Sequence, residues 1–205
     1  AGIFHVMTHA FFKALLFLGS GSVIHALGSE QDLRKMGGLW KRTPLTFATM
    51  LCAAVAIAGV PPFSGFHSKD AILLAAHHHA PWMYWIGVLT AAMTAFYVFR
   101  AIFLAFLGDY RGSAHPHESP PAMSIPLVVL ALFSLWGGYF NVLPWLEPIF
   151  PAAEPGHDAL LVYVSVAAGL AGIALAWLFY VARPGWSDAF AAKAGGLYRL
   201  VLNKY

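Results

Sequence analysis

Residues 44–78 read PLTFATMLCAAVAIAGVPPFSGFHSKDAILLAAHH, an apolar stretch with a break written into its middle. As one straight helix it would run about 52 Å at ~1.5 Å per residue, against ~30 Å for the hydrocarbon core of a bilayer. Within it stands Gly59-Val60-Pro61-Pro62-Phe63-Ser64-Gly65. The two prolines remove two backbone donors, and each disfavours helix at the residue before it. The helix is expected to break near 60–65 and to resume from about residue 66.

Outward from this break, four more apolar stretches fall at about 3–27, 81–107, 122–143 and 158–182, each long enough for one crossing. The composition agrees: of 205 residues 60% are hydrophobic and only 10% charged, with a mean hydropathy of +0.68. A soluble domain carries about 25% charged residues, so a soluble globular protein and a disordered one are both excluded. The expected class is all-α, a polytopic transmembrane helix bundle of about five spans, one discontinuous near Pro61-Pro62. Transmembrane bundle is expected over 1–182. Residues 183–205, with Phe190, Leu197, Leu200 and Val201 among scattered basics, form a surface segment with weak amphipathic character, interrupted by Gly195-Gly196.

Charge placement sets the topology. Lys and Arg number four in 28–43 (Arg34, Lys35, Lys41, Arg42), none around 79–80, one in 108–121 (Arg111), none in 144–157 and four in 183–205 (Arg183, Lys193, Arg199, Lys204). These counts alternate only if 44–78 crosses once, as one broken span. The basic segments are then cytoplasmic, and the N-terminus and the loop with Glu147 and Glu154 lie outside. Trp82, Tyr84 and Trp85 open the third long stretch as an aromatic belt at the outer face, and Trp145 and Trp186 sit at other interfaces. His77-His78-His79 read as an outer-surface loop, since consecutive residues point apart. His25 reads as interfacial, and His115 and His117 as members of a Pro-rich loop. Apolar helical sequence begins at once with no basic n-region, so no signal peptide is expected, and both ends read as those of a fragment. The single cysteine, Cys52, excludes a disulfide framework, a thiolate zinc site and a Cys-ligated cluster on this chain. No GxGxxG or GxxxxGK[ST] occurs, so redox chemistry is expected on other chains.

Ionisable groups at membrane depth cost at least ~2.5–3.5 kcal/mol each and point to function. Lys13 is near the middle of the first span, with His9 and His5 four and eight residues upstream. Steps of four share a helix face, so the three form a row of about 12 Å running inward from the outer side. Histidine titrates near neutrality and a buried lysine can be brought toward it, which suits proton transfer. Lys69 and Asp70 follow the helix break, where exposed backbone needs protein or a water-filled cavity around it. Adjacent helical residues point ~100° apart, so these two need not pair. Arg100 lies about two turns from the cytoplasmic end of its span, and anchoring and function are equally open to it.

These residues resemble a known family. His5-Val6-Met7-Thr8-His9-Ala10-Phe11-Phe12-Lys13-Ala14-Leu15-Leu16-Phe17-Leu18 is similar to the signature helix of the largest antiporter-like subunit of respiratory complex I, NADH-quinone oxidoreductase. Lys35-Met36-Gly37-Gly38-Leu39, the Gly59–Phe66 stretch followed by Ser68-Lys69-Asp70, and Thr94–Arg100 resemble the same family. The likeness is strong over roughly 1–110 and looser beyond. It implies that His5, His9, Lys13, Lys69 and Asp70 belong to a chain of protonatable groups used in proton translocation. His67 stands where the family commonly has an aromatic, and either adds a protonatable group or fills space. Ala71 stands where Glu is frequent. The resemblance further implies other membrane-arm subunits as partners in the bilayer and a bacterial inner (cell) membrane location. NADH, FMN, iron–sulfur clusters and quinone are then held by partner subunits, none of them nor any metal on this chain, and there is no nucleic-acid partner. It implies a lateral helix beyond the tail. The alternative is a subunit of a multisubunit Na⁺/H⁺ antiporter or a membrane-bound hydrogenase.

Overall fold

The computed structural model describes residues 1–140, 142–146, 148–149 and 158–203. Glu147 and Glu154, on which the outward placement of their loop rested, lie outside the described residues. In chain order the helices are α1 (Gly2–Ala26), α2 (Pro44–Ala58), α3 (Ser64–His79), α4 (Pro81–Phe106), α5 (Pro121–Trp136), α6 (Leu143–Leu146), α7 (Ala159–Trp177), α8 (Gly185–Lys193) and α9 (Gly195–Leu202). A 3₁₀ turn over Gly137–Tyr139 extends α5, and a π turn over Leu178–Ala182 extends α7. No strand occurs among the described residues.

The boundaries follow from local chemistry. Proline opens α2, α4 and α5, where its missing N–H costs nothing and its fixed φ suits the first turn. Asp158 opens α7 by accepting the amides of Leu160 and Leu161. Gly59 ends α2 at φ 76°, a conformation that L side chains avoid, and Val60 N–H closes back on the Val55 carbonyl at 3.3 Å. The long apolar stretch is thus two half-helices, α2 and α3, separated by residues 59–63, as its prolines require.

Among the described residues four helices are long and apolar enough to cross a bilayer: Gly2–Ala26, Pro81–Phe106, Pro121–Tyr139 and Ala159–Ala182. The shorter apolar Pro44–Ala58 continues into α3 and completes the bundle. α4 packs along α7, α1 against α2 and α5, and α3 against α4 and α1. The broken helix thereby sits in the middle of the bundle. Its α2 half buries Ala53, Ala54, Ala56 and Ala58 completely or almost so. Small side chains let helices approach where no water drives them together. Val6, Phe17, Leu89, Met93 and Tyr163 instead point outward from the bundle and are exposed.

Two expectations are corrected here. His77, His78 and His79 form the last turn of α3 rather than a loop, because helical hydrogen bonding persists until Pro81 opens α4. Tyr84 is fully buried and donates to the Leu161 carbonyl at 2.5 Å, so it joins α4 to α7 and is no belt residue. Trp82 and Trp85 on either side are exposed, and Trp145 and Trp186 are exposed as well. Beyond α7, the tail breaks at Ala194 into α8 and α9, the second beginning at Gly195.

Candidate functional site

The break in the apolar stretch makes the site. With α2 ended at Ala58, the carbonyls of its last turn lack helical partners. α3 restarts beside them, and Gly65 lies so close to the Ala56 carbonyl that a β-carbon there would collide with it. One turn on, Lys69 turns back and its Nζ donates to the Ala58 carbonyl at 2.7 Å. A β-carbon at Gly59 would meet this ammonium, so the left-handed glycine both ends the half-helix and leaves room for the lysine.

Lys69 borders a cleft of about 360 Å³. From α1 it is lined by His5, His9, Phe12 and Lys13, from α2 and α3 by Ile57, Gly65 and Lys69, and from α4 by Gly87, Thr90, Ala91, Thr94 and Tyr97. Four of the five residues singled out from the sequence therefore meet in one space. The His5 and His9 rings are 5.7 Å apart, and His9 packs edge-on against Phe12 at 5.3 Å. Lys13 holds its Nζ 5.3 Å above the ring of Phe17, one turn further along α1. His5 Nδ1 is 3.0 Å from Ser68 Oγ, and the Thr8 hydroxyl donates to the same oxygen at 2.7 Å. This hydroxyl pair, fully buried, ties the α1 row to α3 one residue before Lys69.

The fifth residue is elsewhere. Asp70 points away from the cleft toward α7, where Ser165 Oγ donates to its Oδ1 at 2.6 Å. Its Oδ2 is buried with no hydrogen-bond partner among the described residues. Lys69 and Asp70 form no ion pair, in keeping with their divergence on a helix. His67 occupies a third face, its ring 4.7 Å from Tyr139 and 5.3 Å from Phe66. Arg100 places its guanidinium 5.3 Å from the Tyr180 ring, between α4 and the turn that ends α7. Neither lines the cleft. No group of three His, Cys, Asp or Glu able to hold a metal occurs among the described residues.

Sequence reasoning passed over the hydroxyls. Thr8, three residues after His5, was a visible signal, since a polar side chain at that spacing shares the histidine's face. Thr90, Thr94 and Tyr97 carry the same signal at steps of four and three on α4. Ser165 carried none, because only the packing of α7 on α3 brings it to Asp70.

Residues 1–94 match the family described as "NADH:quinone oxidoreductase/Mrp antiporter, TM". The chain belongs to this antiporter-like membrane family. The matched residues include α1, both half-helices and the cleft's His5, His9, Lys13 and Lys69. The chain is 40% identical to NAD(P)H-quinone oxidoreductase chain 5 of Picosynechococcus over 248 aligned residues, covering 100% of this chain and 37% of that protein. It is 42% identical to NADH-quinone oxidoreductase subunit L of Mycobacterium tuberculosis over 197 residues, 89% of this chain and 31% of the relative. It is 40% identical to F(420)H(2) dehydrogenase subunit L of Methanosarcina mazei over 237 residues, 99% of this chain and 35% of the relative. The chain spans about a third of the length of these relatives. This antiporter-like chain is a membrane protein, and the relatives named as NADH-quinone oxidoreductase are subunits of an enzyme complex.

Proposed function

We propose that this antiporter-like chain carries protons through the membrane arm of an NADH:quinone oxidoreductase while other subunits perform the redox reaction. The observation that carries this reading is the convergence of His5, His9, Lys13 and Lys69 on one cleft beside a broken helix. A water molecule takes about 30 Å³, so the cleft has room for water between the side chains. Histidine is a side chain suited to taking up and releasing protons, and His5 and His9 both line the cleft. The lysines, further along the row and at the break, hold the charge in the membrane interior. Among the described residues the Lys69 ammonium has one acceptor, a backbone carbonyl, and no ion pair to break when it passes a proton to water.

Asp70 acts from outside the cleft, as a buried carboxylate behind Lys69. The redox groups, NADH, FMN, iron–sulfur clusters and quinone, belong on partner subunits, and the remaining membrane-arm subunits are this chain's neighbours in the inner membrane of a bacterium. The F(420)H(2) dehydrogenase relative is as similar as the cyanobacterial one, which fits a chain that moves protons and leaves the choice of electron donor to other subunits. The family description also covers Mrp antiporters, so a cation/proton antiporter subunit is the second reading.

The test is proton translocation by the intact complex in sealed vesicles. Lys13→Ala is expected to cut protons moved per electron while assembly persists. Lys13→Arg is expected to impair it as well, because arginine does not release its proton in a protein. Undiminished pumping after replacing both Lys13 and Lys69 would leave the buried charges with a scaffold role only.

A further inference from the structure

At the basic end of the bundle a second cleft, of about 470 Å³, opens between residues 37–42 and residues 108–116. It is separate from the proton cleft and shares no residue with it. We propose that it binds the phosphate headgroup of an anionic phospholipid in the leaflet on that side.

The four basic residues of the segment between α1 and α2 differ in what they touch. Arg34 forks onto Asp32 through Nε and Nη2 at 2.8–3.0 Å, and these bonds hold the Asp32 carboxyl down at about 2. Lys35 donates to Glu30 at 2.8 Å, which raises the ammonium and lowers the carboxyl. Arg111, from the facing loop, spends its guanidinium on the carbonyls of Leu33, Arg34 and Leu104. Lys41 and Arg42 have no carboxylate or hydrogen-bond acceptor among the described residues, and both are exposed at the cleft. Beside them Trp40 is exposed with its ring 5.4 Å from Lys41 Nζ.

The position suits a lipid headgroup. α2 begins at Pro44, two residues after Arg42, so the cleft lies where the span leaves the bilayer. Tryptophan and long basic side chains at that depth meet phosphate and the top of the acyl region together. The backbone is already committed: Gly37 and Gly38 donate to the Ala105 and Leu107 carbonyls, and the first amides of α2 are taken by Glu118. Recognition therefore falls to the Lys41 and Arg42 side chains. Asp109 also lines the cleft, so two cations act against one carboxylate. The surplus of positive charge favours a headgroup of net negative charge over a zwitterionic one, whose own cation is repelled.

The experiment uses the intact complex in phosphatidylcholine vesicles doped with a photoactivatable phosphatidylglycerol or, separately, a photoactivatable phosphatidylcholine. Cross-linked peptides are mapped by mass spectrometry. The anionic probe is expected on residues 39–42 and 113–116, and several-fold above the zwitterionic one. Lys41→Gln with Arg42→Gln should lower that labelling by roughly tenfold or more, at about fivefold for each basic group near the surface. Lys35→Gln should leave it unchanged, and Asp109→Asn should raise it. If the double variant does not assemble, raising the salt on the wild-type complex replaces it, and should cut labelling by the anionic probe alone. Equal labelling by both probes, or labelling indifferent to the Lys41/Arg42 pair and to salt, would overturn the proposal. Protection by inorganic phosphate would overturn it in favour of a soluble anion. A carbodiimide cross-link from Lys41 to another subunit's carboxylate would overturn it in favour of a protein contact.

Discussion

The two ends of α2 are both closed by charged side chains from elsewhere in the chain, and they are closed differently. At the N-terminal end the Glu118 carboxylate accepts the amides of Leu45 and Thr46 at 2.8 and 3.3 Å, the Thr46 hydroxyl at 2.5 Å and the Ser119 amide at 3.2 Å. Ser22 then links the Thr46 and Ser119 hydroxyls at 2.8 and 2.6 Å. At the other end the Lys69 ammonium holds the Ala58 carbonyl alone and faces a cleft. Each charge has the sign that the helix dipole favours at its end. A carboxylate that accepts four hydrogen bonds is fixed in position by everything around it. A group with one hydrogen-bond partner among the described residues, beside an open cleft, is tied to the fold by far less.

The largest expected effect is at Lys69. Lys69→Ala should leave an assembled complex whose electron transfer persists or slows while protons translocated per electron fall sharply, measured in vesicles. Lys69→Arg preserves a cation near the Ala58 carbonyl and cannot release it. If the arginine variant pumps like the wild type, Lys69 is a fixed cap and the contrast with Glu118 collapses.

At Glu118 the consequence should fall on stability instead. Glu118→Ala strips the acceptor from the first amides of α2, and losses of a helix N-cap run about 0.5–2 kcal/mol. Thermal inactivation of the complex should occur at lower temperature, with protons per electron unchanged in the molecules that survive. Glu118→Gln, which keeps an acceptor oxygen, should lose less. A variant that is fully stable yet pumps poorly would move Glu118 into the proton path.

This contrast was half legible in the sequence. The break was readable because glycine and proline act on their own backbone, and Gly59, Pro61 and Pro62 stand together. The His5, His9, Lys13 row was readable because a step of four keeps one helix face, and the cleft confirms that these three look into one space. Glu118 was not readable. It stands 72 positions from Thr46, in a Pro-rich loop whose composition says only that it is a loop. Tyr84 fails for the same reason: flanked by two exposed tryptophans, it is buried because α7 supplies a carbonyl at its hydroxyl. Local rules place breaks and faces, while the partner of a polar group comes from helices far away in the chain.

The smallest effect is expected at Asp70, and it sharpens the comparison within a single helical step. Asp70 adjoins Lys69 in sequence but faces α7, away from the cleft. Asparagine can keep an oxygen where Oδ1 accepts from Ser165. It puts an NH₂ where Oδ2 now has no partner among the described residues, exchanging one unsatisfied buried group for another. The packing cost should therefore be small. What Asp70→Asn does remove is a negative charge one residue from the Lys69 backbone, and that charge acts on Lys69 through space rather than through a bond. Protons per electron should fall modestly, well short of the loss in Lys69→Ala. A drop as deep as that of the lysine variant would make the pair a single functional unit in spite of its divergent side chains.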